Sequence, residues 1–193
     1  MHLFTPTQTN SSHRAPHFCS WHRAVVAAAA AVVFLGAVGC NGDAPLAPGA
    51  GTGSLTSTGA VSVSASGIAI FQSVSSGGAS LFQVVIAPVT QSANIWTLQI
   101  ANYTGRLAPG TYNLLPLSGS STNPTATLSY ITGGASGTSQ LFNSTSGQLV
   151  ITASSQSEVD GTFSFPATDL GGTSSVTVNG SFKARCAPGT VCQ

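Results

Sequence analysis

From residue 58 onward, apolar and polar positions alternate with a period of two, and the breaks are rich in Gly, Ser, Thr, Asn and Pro. Val61, Val63 and Ala65 alternate with serines and lead into Ile68 and Ile70. Trp96, Leu98 and Ile100 fall on one face of a strand, Thr97 and Gln99 on the other. Tyr112 and Leu114 follow the turn signal Pro109-Gly110. Ala126, Leu128 and Tyr130 alternate, as do Leu149, Ile151 and Ala153. Val159, Gly161, Phe163 and Phe165 form one inward row, and Val176, Val178, Gly180 and Phe182 another. Leu81 to Val89 is more uniformly apolar, as expected of a strand buried on both sides. No stretch here carries a 3.6-residue period. The pattern predicts an all-β domain over 58–185: about eight short antiparallel strands in a single β-sandwich or closed barrel. A transmembrane barrel also alternates, but it calls for strands near 10 residues and aromatic girdles. The predicted strands are shorter, so a water-facing domain is expected. No internal repeat marks a solenoid.

Upstream the pattern changes. Residues 1–23 are polar, with Arg14, Arg23 and four histidines, His2, His13, His17 and His22. Ala24 to Gly39 then runs apolar without a charge. A positive region, a short apolar core and small residues at its end read as a secretory signal peptide over 1–39. The apolar run is 16 residues long, short of the roughly 20 that span a bilayer. Asn41 to Ser57 is built of small residues, Pro and Gly without periodicity, so 40–57 is expected to be a flexible linker. A coil of about 17 residues would hold a domain roughly 20–25 Å from its attachment point.

Composition sharpens this picture. The chain is 42% hydrophobic and only 5% charged, with a formal net charge of +1, against about 25% charged residues in average soluble domains. Low hydrophobicity with high net charge marks a disordered chain, and clustered Lys and Arg mark a nucleic-acid binder; neither is present. Loss of 1–39 would remove every histidine. A Ser-His-Asp triad, a Cys-His pair and a His-ligated zinc are then unavailable. Three cations, Arg106, Lys183 and Arg185, would remain against four anions, Asp43, Glu158, Asp160 and Asp169, a net of −1.

Of the four cysteines, Cys19 would leave with the signal peptide. With Cys40 set aside, Cys186 and Cys192 remain, separated by Ala-Pro-Gly-Thr-Val. In an exported chain this reads as a disulfide clipping a C-terminal tail over 186–193. Pro188 and Gly189 favour the turn it needs. A loop this short contributes about 2 kcal/mol on the chain-entropy model. A redox-active pair would instead show C-x-x-C spacing.

Two features carry resemblances. The sequence Ala37-Val38-Gly39-Cys40 that ends the apolar run resembles the bacterial lipoprotein signal, in which a small residue precedes the cysteine to be lipidated. This implies cleavage before Cys40, a lipid on its sulfur and acylation of its new amino group, with the membrane as partner. More than one acyl chain is sufficient for stable anchoring. Asn41 is not the aspartate associated with inner-membrane retention, so an outer-membrane destination is expected. Further on stand Gly110-Thr111-Tyr112, Gly147-Gln148-Leu149-Val150-Ile151-Thr152, Gly161-Thr162-Phe163-Ser164-Phe165 and Val176-Thr177-Val178-Asn179-Gly180-Ser181-Phe182. Over residues 60–185 the chain resembles uncharacterised bacterial secreted lipoproteins with a small all-β domain, in which a G-T-F-S-F strand pairs with an N-G-x-F strand. This resemblance implies fold and location, and transfers no catalytic or binding residue.

Candidate chemistry is sparse. Glu158 and Asp160 stand two apart in a predicted strand and so share a face, with Asp169 in the following loop. Paired carboxylates can hydrolyse a glycoside or bind calcium, but here they are expected on a solvated outer face without calcium-loop spacing. Trp96, Tyr103, Tyr112 and Tyr130 could build a sugar-stacking platform, although Trp96 is expected in the core. The Asn-x-Ser/Thr matches at Asn102, Asn143 and Asn179 are of the kind a Ser/Thr-rich chain produces by chance. Arg106, Lys183 and Arg185 are too few for an anion-binding patch. Gly77-Gly78 and Gly133-Gly134 fit no phosphate loop. The expectation is a lipid-anchored envelope protein with a structural or interaction role and no cofactor, metal or nucleic-acid partner. The alternatives are a glycan or small-ligand binding module and, behind it, a carboxylate-dependent hydrolase.

Overall fold

The computed structural model describes residues 49–193 except 77, 90–93, 118–121, 134–136, 191 and 193, and every regular element in them is a β-strand. The strands are β1 (Gly51–Gly59), β2 (Val63–Ser76), β3 (Ala79–Pro88), β4 (Asn94–Asn102), β5 (Gly110–Asn113), β6 (Thr125–Thr132), β7 (Ser139–Ser144), β8 (Gln148–Ser154), β9 (Glu158–Asp169) and β10 (Ser175–Cys186). The predicted signal peptide, Cys40 and residues 41–48 lie outside the described residues.

Eight of these strands form a closed antiparallel barrel. Around it run β1, β2, β3, β4, β6, β7, β9 and β10, and β1 pairs with β10 to close the ring. Closure removes the unpaired edges that an open sheet exposes. The two further strands extend β9: β8 pairs with its first half and β5 pairs with β8. The fold is thus the barrel of the two predicted alternatives, with the expected eight strands in the ring and two more outside it. β9 changes neighbour along its length, from β8 at Val159–Ser164 to β7 at Ala167–Asp169. Pro166 sits at that changeover, where its missing N–H interrupts no ladder, while its carbonyl accepts the Thr145 amide at 3.0 Å.

The predicted inward rows of β4, β9 and β10 face the barrel interior. Trp96, Leu98 and Ile100, then Val159, Phe163 and Phe165, then Val176, Val178 and Phe182 are all buried. Phe71, Phe82 and Phe142 complete the aromatic part of the core. Side chains fill the interior, as an eight-strand barrel allows. Outer positions are polar: Thr52, Ser54 and Thr56 on β1, Thr162 and Ser164 on β9, Thr177, Asn179 and Ser181 on β10. Several strands are longer than predicted, reaching 14 residues in β2, which is ample for a membrane barrel. Their polarity runs the other way, apolar inside and polar outside, opposite to a lipid-facing barrel.

Three local expectations need correction. Residues 51–57, expected within the flexible linker, are most of β1, the strand that closes the barrel. Its inward positions are Gly51, Gly53, Leu55 and Ser57, so only one carries a large apolar side chain. An added Cβ on Gly53 would stand 2.6 Å from the Ile86 side chain, which explains the glycine there. Second, β3 is not covered on both sides: Phe82, Val84 and Ile86 point inward while Gln83 and Val85 lie half-buried on the outer face. Third, Ile68 and Ile70 take outer positions on β2, and Ala69 and Phe71 the inner ones. Two bulky residues on the outer row masked the true phase.

Candidate functional site

The described charged side chains concentrate where β9 begins and β10 ends. Ser155 shapes the turn before β9 by accepting the Glu158 amide at 3.1 Å and the Ser157 amide at 3.3 Å. Register then sets Asp160 opposite Lys183 and Glu158 opposite Arg185, on the outer face. Lys183 Nζ lies 3.2 Å from Glu158 Oε1 and 3.6 Å from Asp160 Oδ2, and Arg185 Nη2 lies 2.6 Å from Glu158 Oε2. Hydrogen bonding to Glu158, then the charges of Asp160 and Glu158, raise the Lys183 pKa above its usual value. The two carboxylates share a face, as predicted. They line no cleft there, since cations occupy both oxygens of Glu158. Such an arrangement fastens two strand ends, and solvent screening keeps the contribution of each pair small.

Asp169 stands apart, at the β9–β10 turn. Its Oδ1 accepts the amides of Thr173 at 2.8 Å and Ser174 at 3.2 Å, and its Oδ2 accepts the Thr173 hydroxyl at 2.9 Å. The Ser174 amide, then the Thr173 hydroxyl, hold its carboxyl below the usual aspartate range. Its role is to cap a turn. Among the described residues no three His, Cys, Asp or Glu side chains gather in a way that could hold a metal ion.

The aromatic residues do not form a platform, as the expected core position of Trp96 implied. Trp96 is in the core, opposite Tyr130 on β6. Tyr112 lies on β5 and donates its hydroxyl to the Ala108 carbonyl at 2.7 Å, while Tyr103 is exposed on the loop after β4. Of the three glycosylation-type asparagines, Asn102 is 1% exposed and donates to the Gly105 carbonyl at 2.6 Å. Asn143 accepts from Thr127 and Asn179 from Ser164 across their strands.

Cys186 and Cys192 form the expected disulfide, with Cα atoms 6.0 Å apart. The clip folds back over β2: the Ala187 amide donates to the Phe71 carbonyl at 2.8 Å, and Cys192 is buried. Two features were not legible in the sequence. One is an open hollow of about 400 Å³ on the outer face of β1, β2 and β10, lined by hydroxyl and amide groups of Ser54, Thr56, Ser64, Ser66 and Asn179. It depends on register between β1 and β10, which local pattern does not disclose. The other is Arg106, whose guanidinium carbon lies 5.5 Å from the centre of the Phe71 ring. Its Nε and Nη2 are buried without a hydrogen-bond partner. The sequence signal was an arginine standing far from any other charge in a chain that carries few.

No protein family, curated protein or solved structure matches this chain.

Proposed function

We propose that this chain is a lipid-anchored protein of the bacterial cell envelope, destined for the outer membrane, whose barrel acts by contact rather than by catalysis. The observation that carries this reading is the uncharged apolar run Ala24–Gly39 ending directly at Cys40. A barrel with a packed apolar interior and a polar, nearly neutral outer face supports it, because such a domain must be held at a membrane by something outside its own strands. The exported disulfide is in keeping with the same compartment. The test is labelling with an alkyne fatty acid together with mass spectrometry of the N-terminal peptide. Diacylglyceryl and acyl groups on Cys40 are expected, and Cys40→Ser should lose the label and shift to the soluble fraction. A free, unmodified Cys40 in the membrane fraction would overturn the proposal.

A binding module for a neutral glycan or small polar ligand is the second reading, favoured by the charge-free hollow at Ser54, Thr56, Ser64, Ser66 and Asn179. Hydroxyl and amide groups there can donate to and accept from sugar hydroxyls. A carboxylate-dependent hydrolase ranks behind both, because Glu158 and Asp160 would first have to leave Lys183 and Arg185.

A further inference from the structure

Strand direction divides the loops between the two ends of the barrel. The β1–β2, β3–β4, β6–β7 and β9–β10 turns lie at one end. The other end holds the start of β1, the β2–β3 turn, the loops flanking β5, and the disulfide clip. Exposed apolar residues gather along one stretch of that second rim: Val74, Tyr103 and Leu117 are each 48% exposed and Leu115 is 36% exposed. Their neighbourhood follows from register. Val74 pairs with Leu81, and one step beyond the Phe82–Asn102 pair brings Tyr103 beside Leu81. The Leu115 amide donates to the Pro124 carbonyl, directly ahead of β6. At the far end Val89 sits on one turn and Leu170 on another, with Leu141, 39% exposed, one register step beyond the Phe142–Asp169 pair and so beside Leu170, which adjoins the Asp169 carboxylate.

Charge follows the same division. The cluster of Glu158, Asp160, Lys183 and Arg185 cancels within itself. That leaves Arg106 uncompensated at the apolar rim, three residues after Tyr103, and Asp169 at the opposite end. Arg106 makes no ion pair among the described residues, and two of its nitrogens are buried without a partner. The chain also enters β1 at this end: Gly51 is the first residue of the barrel and lies only 11 positions after Cys40. That stretch reaches at most roughly 35–40 Å. Presenting the far end to the anchor would use much of that reach to run back along the barrel.

We propose that the rim formed by Val74, Tyr103, Leu115 and Leu117, with Arg106 beside it, rests on the surface of the bilayer into which the anchor on Cys40 inserts. This rests on the lipid-anchor reading above and deepens it. Leucine and tyrosine side chains settle at the boundary between headgroups and acyl chains, and the positive charge of Arg106 just behind the rim draws that end toward anionic headgroups without direct contact. The domain would then stand with its disulfide end toward the membrane and its Asp169 end away from it.

The experiment uses the full, lipidated chain reconstituted into phosphatidylcholine–phosphatidylglycerol vesicles with brominated acyl chains. Bromine quenches indole emission at close range, so Tyr103→Trp and Leu170→Trp report on the two ends, above the constant contribution of buried Trp96. Both variants should float with the vesicles. The added emission of Tyr103→Trp should fall by roughly two-fold or more, as expected for a ring at the headgroup boundary, while that of Leu170→Trp stays unchanged. Quenching of Tyr103→Trp should rise with the phosphatidylglycerol fraction, and adding Arg106→Gln should remove that rise. Flotation with equal quenching at both ends, or at neither, overturns the rim while leaving the anchor standing. Failure to float overturns the anchor and the rim with it.

Discussion

At the residue scale, the two motifs of the C-terminal half explain each other. Gly161 pairs with Phe182, and Gly180 pairs with Phe163, in neighbouring positions of β9 and β10. Each phenyl ring covers the glycine opposite, and the two rings stack with centroids 6.4 Å apart. Alternation showed that Phe163, Phe165 and Phe182 face inward. It could not show why glycine stands in the same rows, because glycine is neutral in any hydropathy pattern. The reason is space: an added Cβ on Gly161 would stand 2.5 Å from the Val150 carbonyl oxygen and 2.9 Å from the Phe182 ring. Gly161→Ala is therefore expected to cost about 1–3 kcal/mol, as overpacking of a filled core does. Urea denaturation should read this as a lower midpoint at unchanged slope, with Thr162→Ala, on the exposed outer face, within about 0.5 kcal/mol of the parent.

At the scale of elements, the strands with strong alternation were legible and the connections between them were not. β4, β9 and β10 could be read because their inner residues are mostly large and apolar and their outer ones mostly polar. β1 looked like linker, since its inner positions are mostly glycine and serine, yet it makes the pairings that close the barrel. Its composition is set by what crosses close to it, a property of the neighbour and not of the segment. The clip at Cys186–Cys192 was legible from number, spacing and the Pro-Gly turn; its seat on β2 was not. Removing it with Cys186→Ser and Cys192→Ser together should lower stability by about 2 kcal/mol. Hydrogen exchange should show the effect locally, with the Ala187 amide exchanging faster because its bond to the Phe71 carbonyl opens with the tail. An unchanged Ala187 rate would mean that β10, and not the disulfide, holds the clip.

For the whole molecule, scarcity of charge governs the response to pH. The described residues contain no histidine, so none of their side chains has its ordinary titration between about pH 5 and 8. Asp169 has its pKa lowered, so its contribution is present above the unfolded value and is lost as pH falls through the folded value, below 3.8. Lys183 has its pKa raised, so its contribution is present below the unfolded value and is lost as pH rises through the folded one, above 10.5. Thermal melts should therefore give a flat plateau across neutral pH, with small declines at each end. A decline centred near pH 6.5 would contradict this. The sequence by itself determined the strand period, the inward rows, the disulfide and the near-neutral polar surface, because each is written in residues a few positions apart. Tertiary structure alone decided that the sheet closes, that two strands are left over to extend β9, and that Arg106 packs over the Phe71 ring. Those outcomes depend on pairings such as Thr52 with Lys183, between residues far apart in the chain, and a pattern read along neighbouring positions carries no record of them.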